Sequence, residues 1–336
     1  MTMNTVTSAI RGHFFFLKIG FVNRETLDGA AEDEDDDKLG QEERKRIYSR
    51  RDDDAPLVCF VRAAGFERNG TWRFKAGAVP ADKCTHVVYS YLETDNKTGE
   101  FLFRTRGHKD DKDILRELVN LKRENRKLKV LFSYGGGAHV NSLLSRLSSD
   151  KEEAFLVDTI FSLVKSLGLA GVNFHLDGPG PWTCNEKDVH KILHFIKKLR
   201  LKFGSKDWLI TAQLPACRDP KCDHVPKKKF AQHFDYLFLM TFDYKLDDLS
   251  KTKLTSGLYF YEGDSHTSIE TESCLGRWSD AGVPRYKLVP GIATYGRSFT
   301  LNDVMYNGVS AKLNEKHPLG YATNLTHTDG YMDYVE

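Results

Sequence analysis

Seven short, almost continuously apolar runs constrain this chain more than any other feature: LVCFV (57–61), HVVYSY (86–91), KVLFSY (129–134), GVNFHL (171–176), WLITAQL (208–214), YLFLMTF (236–242) and KLVPGIA (287–293). Strands this apolar cannot keep one face in water, which predicts a parallel sheet covered by helices. Helical stretches lie between them. DILRELVNLKREN (113–125) aligns Ile114, Leu118 and Leu121, EEAFLVDTIFSLVKSL (152–167) is broadly apolar, and VHKILHFIKKLRLKF (189–203) aligns Ile192, Ile196, Leu199 and Phe203. The strand-then-helix rhythm predicts an α/β fold, either a (β/α)₈ barrel or a long doubly wound sheet. A length of 336 residues admits one large barrel or two average domains. No run ends in GxGxxG or a P-loop, so nucleotide binding is disfavoured and no cofactor is expected.

The net charge of +2, spread over 29% charged residues of both signs, argues against nucleic acid or a membrane as the main partner. Residues 1–55 differ from the rest. FFFLKIGFV (14–22) is interrupted by Lys18, is too short to span a bilayer and lacks the small-residue cleavage site of a signal peptide. Residues 28–54 run acidic, basic and acidic again with almost nothing to bury, which predicts a disordered segment over 1–55. Six cysteines, Cys59, Cys84, Cys184, Cys217, Cys222 and Cys274, lack zinc-site spacing and are compatible with three disulfides. Sequons at Asn69, Asn96 and Asn324 point the same way, to a secreted, extracellular protein.

The stretch GVNFHLDGPG (171–180) carries the chemistry. In a strand, Asn173, His175 and Asp177 share one face, and Val172, Phe174 and Leu176 the other. A polar line ending in a carboxylate at a Gly-Pro-Gly turn predicts an active-site strand. The competing structural reading makes His175 a hydrogen-bonded core histidine and Asp177 a turn cap. His175 and Asp177 make no metal site without a third ligand.

The runs LVCF…CTHVVYSY, KVLFSYGGG, LAGVNFHLDGPG, WLITAQLPA, FDYLFLMTFDY and KLVPGIATYGRSF, in this order, resemble the barrel strands of glycoside hydrolase family 18 chitinases and chitinase-like lectins over residues 56–336. The resemblance implies a TIM (β/α)₈-type barrel over 56–300, with part of a small α+β insertion after strand seven over 301–336. It implies a barrel truncated before its eighth strand. The first and seventh strands are then expected to expose open edges, an aggregation hazard. It also implies a Cys59–Cys84 disulfide. Cys217 and Cys222 could close a local loop, while Cys184 and Cys274 are left unassigned, with free core thiols as the structural reading.

Family 18 enzymes cleave β-1,4-linked N-acetylglucosamine with help from the substrate's own 2-acetamido oxygen, in place of a second enzyme carboxylate. Their fourth strand reads DGxDxDWEYP. Laid onto this chain, Asn173 and His175 replace the supporting and positioning carboxylates, and Asp177 stands where the general acid Glu belongs. One methylene fewer retracts that carboxyl by about 1.5 Å, where a misplacement of about 1 Å already costs on the order of 10²-fold in rate. A protonated His175 would also hold Asp177 ionised, with no proton to give. The family's MxYD appears as Met240, Thr241, Phe242 and Asp243, so the Tyr hydroxyl is lost at Phe242, a loss worth about 3–4 kcal/mol in a working site. Sugar-stacking aromatics are missing at Ala64, Gly137 and Gly178. The resemblance leaves Met240, Phe242, Asp243, Tyr244, Tyr295 and Arg297 as the substrate-binding set. It implies a catalytically inactive chitinase-like protein, a weak lectin for chitin or chito-oligosaccharides or a secreted modulator. The alternatives are a chitinase with residual activity through Asp177, and a non-functional truncated paralogue.

Overall fold

A computed structural model describes residues 14–17, 56–95, 97–137, 139–177, 186–215, 225–244, 248–261 and 270–333. Strands run in chain order as β1 (Phe14–Leu17), β2 (Leu57–Arg62), β3 (His86–Thr94), β4 (Phe101–Leu102), β5 (Thr105–Arg106), β6 (Lys109–Asp110), β7 (Lys129–Gly135), β8 (Gly171–His175), β9 (Leu209–Leu214), β10 (Tyr236–Leu239), β11 (Leu288–Ile292), β12 (Tyr295–Arg297) and β13 (Tyr331–Asp333). The helices are α1 (Asp111–Asn120), α2 (His139–Arg146), α3 (Asp150–Leu167), α4 (Glu186–Phe203), α5 (Lys227–Ala231) and α6 (Thr271–Asp280). Each of the seven apolar runs contains a strand, and these strands pair in parallel in the order β2, β3, β7, β8, β9, β10, β11.

Their two faces explain why the runs lack polar alternation. One set of side chains, among them Val172, Phe174 and Leu176, packs outward with helix residues such as Ile114, Ile160 and Ile196. The other set, including Val58, Phe60, Val88, Leu131, Leu209, Phe238 and Val289, fills the interior. With both faces dry, alternate polar positions would bury unpaired groups.

The helices follow local rules. Asp110 caps α1 by accepting from the Asp113 N–H at 2.8 Å. α3 ends at Gly168, whose φ of +64° suits a residue without Cβ. Between α3 and α4, buried Glu153 accepts from Lys198 Nζ at 2.7 Å and contacts His194 Nδ1 at 3.2 Å.

The open edges expected at the first and seventh strands are not open. β1 pairs antiparallel with β2, from Phe14 opposite Phe60 to Leu17 opposite Leu57, and on its other side with β11, Phe15 opposite Ile292 and Phe16 opposite Gly291. The ladders therefore form a ring of eight strands, seven parallel and one antiparallel. The physical reason is reciprocal need. The two edges present unpaired N–H and C=O groups, and a short apolar run can satisfy its own only by pairing. This corrects the expectation of disorder throughout 1–55 at these four residues; residues 18–55 lie outside the described part.

Cys59 and Cys84 are disulfide-bonded with Cα atoms 6.0 Å apart. Cys274, left unassigned above, is buried on α6 and disulfide-bonded as well, which excludes the free-thiol reading for it. Its partner lies outside the described residues, as do Cys184, Cys217 and Cys222. Beyond β11 the chain forms an antiparallel pair of β12 with β13, and bridges Phe299 to Leu319 and Leu301 to Leu313.

Candidate active-site cleft

In a parallel barrel the carboxyl ends of the strands converge on one mouth, where residues from different strands share a site. Asn173 sits one layer below that mouth and is fully buried. It donates from Nδ2 to Ser133 Oγ at 2.9 Å and accepts at Oδ1 from Thr211 Oγ1 at 2.9 Å. The amide is thus the middle of a polar rung across β7, β8 and β9, all three members shielded from water. Its donor and acceptor roles are both used, and the rung carries no charge.

One layer higher, His175 faces the mouth beside the exit of β7. Gly135, Gly136 and Gly137 have φ of +98°, +80° and +53°. A Cβ on Gly136 would stand 2.5 Å from His175 Nδ1, and one on Gly135 would stand 2.6 Å from the His175 carbonyl. Glycine is required here for close approach as well as for turning. The Gly136 and Gly137 N–H groups donate to the His175 and Asp177 carbonyls at 2.8 and 2.9 Å. The Tyr91 ring lies edge-on to His175 with centroids 6.2 Å apart and also contacts His139 at 5.6 Å. Asp177 is half-buried just past the end of β8. Gly178 and Pro179 are outside the described residues.

Across the mouth, Asp243 has a left-handed φ of +59°, uncommon for a residue with a side chain. Three bonds hold its carboxylate: Tyr295 Oη donates to Oδ2 at 2.5 Å, and Arg297 donates from Nε to Oδ1 and from Nη2 to Oδ2, both at 2.7 Å. The Arg297 fork matches the carboxylate bidentately. Burial, with the Asp243 charge beside it, raises the Tyr295 hydroxyl pKa well above the usual tyrosine value. The Tyr295 ring stacks on Tyr331 at 4.5 Å, and Arg297 lies 5.3 Å from both ring centroids. Tyr331 Oη accepts from Arg62 Nη1 at 3.4 Å, and Asp333 is ion-paired with Arg68. Tyr295 and Arg297 therefore do both things open to them: they hold Asp243 at the cleft, and they tie the β12–β13 pair to the barrel.

The predicted residues separate into groups. Asp243, Tyr295 and Arg297 are brought together. Met240 and Phe242 form apolar floor, each 4% exposed. Tyr244 is fully buried, with burial pushing its hydroxyl pKa to about 12, and its backbone N–H donates to the Thr255 carbonyl at 2.8 Å. No solvent-facing atom is left to meet a ligand, so Tyr244 is a wall residue. Ser133, Thr211, Gln213, Tyr91 and Tyr331 belong to the site without having stood out in the sequence. Thr211 and Gln213 carried a signal, since both are polar and share parity within the apolar run WLITAQL.

Seven parallel strands with helices between them, their polar residues gathered where the strands end, define a TIM (β/α)₈-type barrel, with the antiparallel β1 between its first and last parallel strands. The chain belongs to the glycosyl hydrolases family 18, whose profile matches residues 56–336. It is 27% identical over 297 residues to an endochitinase of Manduca sexta, covering 85% of this chain and 53% of that protein. The chain spans about half the length of that endochitinase and of a chitotriosidase-1 of Mus musculus that it also matches. Among solved structures it resembles the Group IV chitinase of Ostrinia furnacalis, with a TM-score of 0.72 and 23% identity over 82% of this chain and 76% of that one. It also resembles YKL-39 solved in the presence of chitooligosaccharides, with a TM-score of 0.68 and 23% identity over 82% and 76%.

Proposed function

We propose that this protein is a catalytically inactive family 18 member that binds chito-oligosaccharides weakly, as an exported lectin or modulator, with residues 301–336 as part of an inserted α+β domain. The observation that carries the reading is the Ser133–Asn173–Thr211 rung. It holds a neutral amide, bonded through both its nitrogen and its oxygen, where an enzyme of this family carries a carboxylate. His175 and Asp177 above it leave a single, shortened carboxyl on the acid strand, and Phe242 supplies no hydroxyl to orient an acetamido oxygen.

Binding is supported by what persists. The Asp243–Arg297–Tyr295 cluster keeps one wall of the cleft ordered, and the stacked Tyr295 and Tyr331 rings supply an aromatic surface of the kind sugars pack against. The structure of YKL-39, which shares this fold, was solved with chitooligosaccharides present. Export is supported by the Cys59–Cys84 bond and by the exposure of the sequon residues Asn69 and Asn324. Removal of N-glycans by a glycosidase should shift the mass of the protein expressed in a secreting host.

The test is incubation with hexa-N-acetylchitohexaose, with products resolved by chromatography, alongside retention on chitin beads. Retention without shortened products supports the reading. The second reading, residual hydrolysis through Asp177, is favoured by the half-buried place of that carboxyl at the mouth. Turnover that disappears in Asp177→Ala would establish it instead.

A further inference from the structure

The cleft lies at the carboxyl ends of the strands, and the loops that enter the strands lie on the opposite face of the barrel. One of these, between α1 and β7, reads LKRENRKLK (121–129). A 3-10 turn over Leu121–Arg123 leads into Asn125, whose side chain holds the loop from inside. Its Nδ2 donates to the Ala81 carbonyl at 2.8 Å, and its Oδ1 accepts from the Lys127 N–H at 3.0 Å. Lys122 Nζ donates to the Gly168 carbonyl, just past α3, at 3.1 Å. Anchored to two neighbouring segments, the loop has a fixed shape.

That shape leaves a row of cations in solvent. Arg123, Arg126 and Lys127 are exposed, and so is Lys165, three residues before Gly168. Among the described residues no carboxylate pairs with any of the four, Glu124 of the same loop included. By contrast, Arg104, Lys109, Arg116 and Lys202 each have a carboxylate partner. Screening at physiological salt acts over about 8 Å, so like charges one to four residues apart on a turn still repel, and an anion spanning them relieves that repulsion. A single small anion would need cations converging on a pocket. These stand along an exposed edge, which suits a chain of anions whose oxygens the guanidinium forks take in pairs.

What the loop lacks decides between polyanions. None of the exposed large hydrophobic side chains among the described residues falls in 121–129. The loop therefore has nothing to insert below lipid headgroups and no ring on which a base would stack. A sulfated polysaccharide needs neither, and it is the polyanion that an exported, disulfide-bonded protein meets.

We propose that the base of the barrel carries a second binding surface, where Arg123, Arg126, Lys127 and Lys165 hold a sulfated polysaccharide while the cleft on the opposite face stays free. The choice of a glycan over nucleic acid leans on the reading of the protein as exported; the surface does not depend on what the cleft binds.

The experiment uses the full chain in three forms. These are the wild type, the triple variant Arg123→Gln, Arg126→Gln, Lys127→Gln, and a control with the same change of charge at exposed positions outside the loop, Lys151→Gln, Lys312→Gln, Lys316→Gln. Each is titrated with a heparin hexasaccharide, its desulfated counterpart, a DNA duplex of matched charge and phosphatidylserine vesicles, at low and at physiological salt. The wild type should prefer the sulfated hexasaccharide and bind it more weakly as salt rises. The loop variant should lose about 10-fold in affinity at low salt and show a flatter salt dependence, with the control within about 2-fold of wild type. Hydrogen exchange of the wild type, which needs no variant, should slow over 121–128 when the hexasaccharide is added. Equal losses in the two triple variants, or protection confined to other segments, would overturn the assignment to this loop. Equal binding of the desulfated hexasaccharide, or tighter binding of the duplex or the vesicles, would overturn the choice of partner. A wild type that binds the sulfated hexasaccharide but is not retained on chitin would refute the lectin reading alone.

Discussion

Replacing Asn173 by Asp restores the residue type that an active relative would carry, and asks whether the rung tolerates a charge. The site is fully buried. Burial raises carboxyl pKa values by up to 3–5 units. Ser133 and Thr211 can turn their hydroxyls to donate to a carboxylate, and two such bonds return a good part of that, leaving a net rise of about 2 units. At about 1.4 kcal/mol per unit, the variant should be about 3 kcal/mol less stable than wild type at pH 7. The sign of the pH dependence follows from the direction of the shift. A folded-state pKa above the unfolded value of about 3.9 means the native variant binds the extra proton, so its stability relative to wild type is full below about pH 4. That stability is then lost as pH rises to about 6, and the difference is flat above. Urea unfolding of both proteins at pH 4, 5, 6 and 7 measures this directly. Equal stability of the two at every pH would refute the reasoning, because it would show a wet or already cationic environment around Asn173. Under the proposed inactive reading, the substitution alone is not expected to give chitinase activity, since Asp177 remains short.

The Cys59–Cys84 bond spans a sequence separation of 25, so the double Cys→Ser variant should lose about 3–4 kcal/mol in denaturant unfolding; a reductant is no substitute, because it would also open the Cys274 bond. Arg297→Lys removes the bidentate grip on Asp243 and the cover over Tyr295 and Tyr331, and should cost about 2 kcal/mol while speeding hydrogen exchange in β12 and β13. Phe16→Pro, in the middle of β1, should lower stability by about 3 kcal/mol by removing a ladder N–H; an unchanged melting curve would mean that β1 does not close the ring in solution. The pKa of His233 is lowered, first by burial and then by the charges of Lys197, Lys287, Arg200 and Lys229. Its unfolded form therefore binds protons more readily, and stability should fall as pH drops below about 6.5. His233→Asn should flatten that limb in melts between pH 5 and 8.

The barrel was legible because both faces of its strands are dry, so Val87, Leu131, Phe174 and Leu237 announce themselves without knowledge of their neighbours. The stripes at Ile114, Leu118 and Leu121 and at Ile192, Ile196, Leu199 and Phe203 were legible for the same reason, and all seven are buried. β1 was not. A four-residue apolar run says nothing about pairing with Gly291, some 275 residues away, and the charged block after it is a strong signal for disorder. In the cleft, strand parity gave Asn173, His175 and Asp177 their common face. That Ser133 and Thr211 are the partners of Asn173 depends on the register of β7, β8 and β9, which no single strand encodes. Tyr331 was missed because it reaches the cleft only through the pairing of β13 with β12. That Tyr244 is fully buried beside the cleft depends on the packing around the end of β10, which the sequence motif does not encode.

The proposed function is that of an intact cleft without a reaction. Calorimetric titration with penta-N-acetylchitopentaose, with the same sample analysed afterwards by mass spectrometry, tests it most directly. Saturable binding is expected, with the pentasaccharide recovered whole after prolonged incubation. Shortened oligosaccharides from the wild type, absent with Asp177→Ala, would contradict the claim.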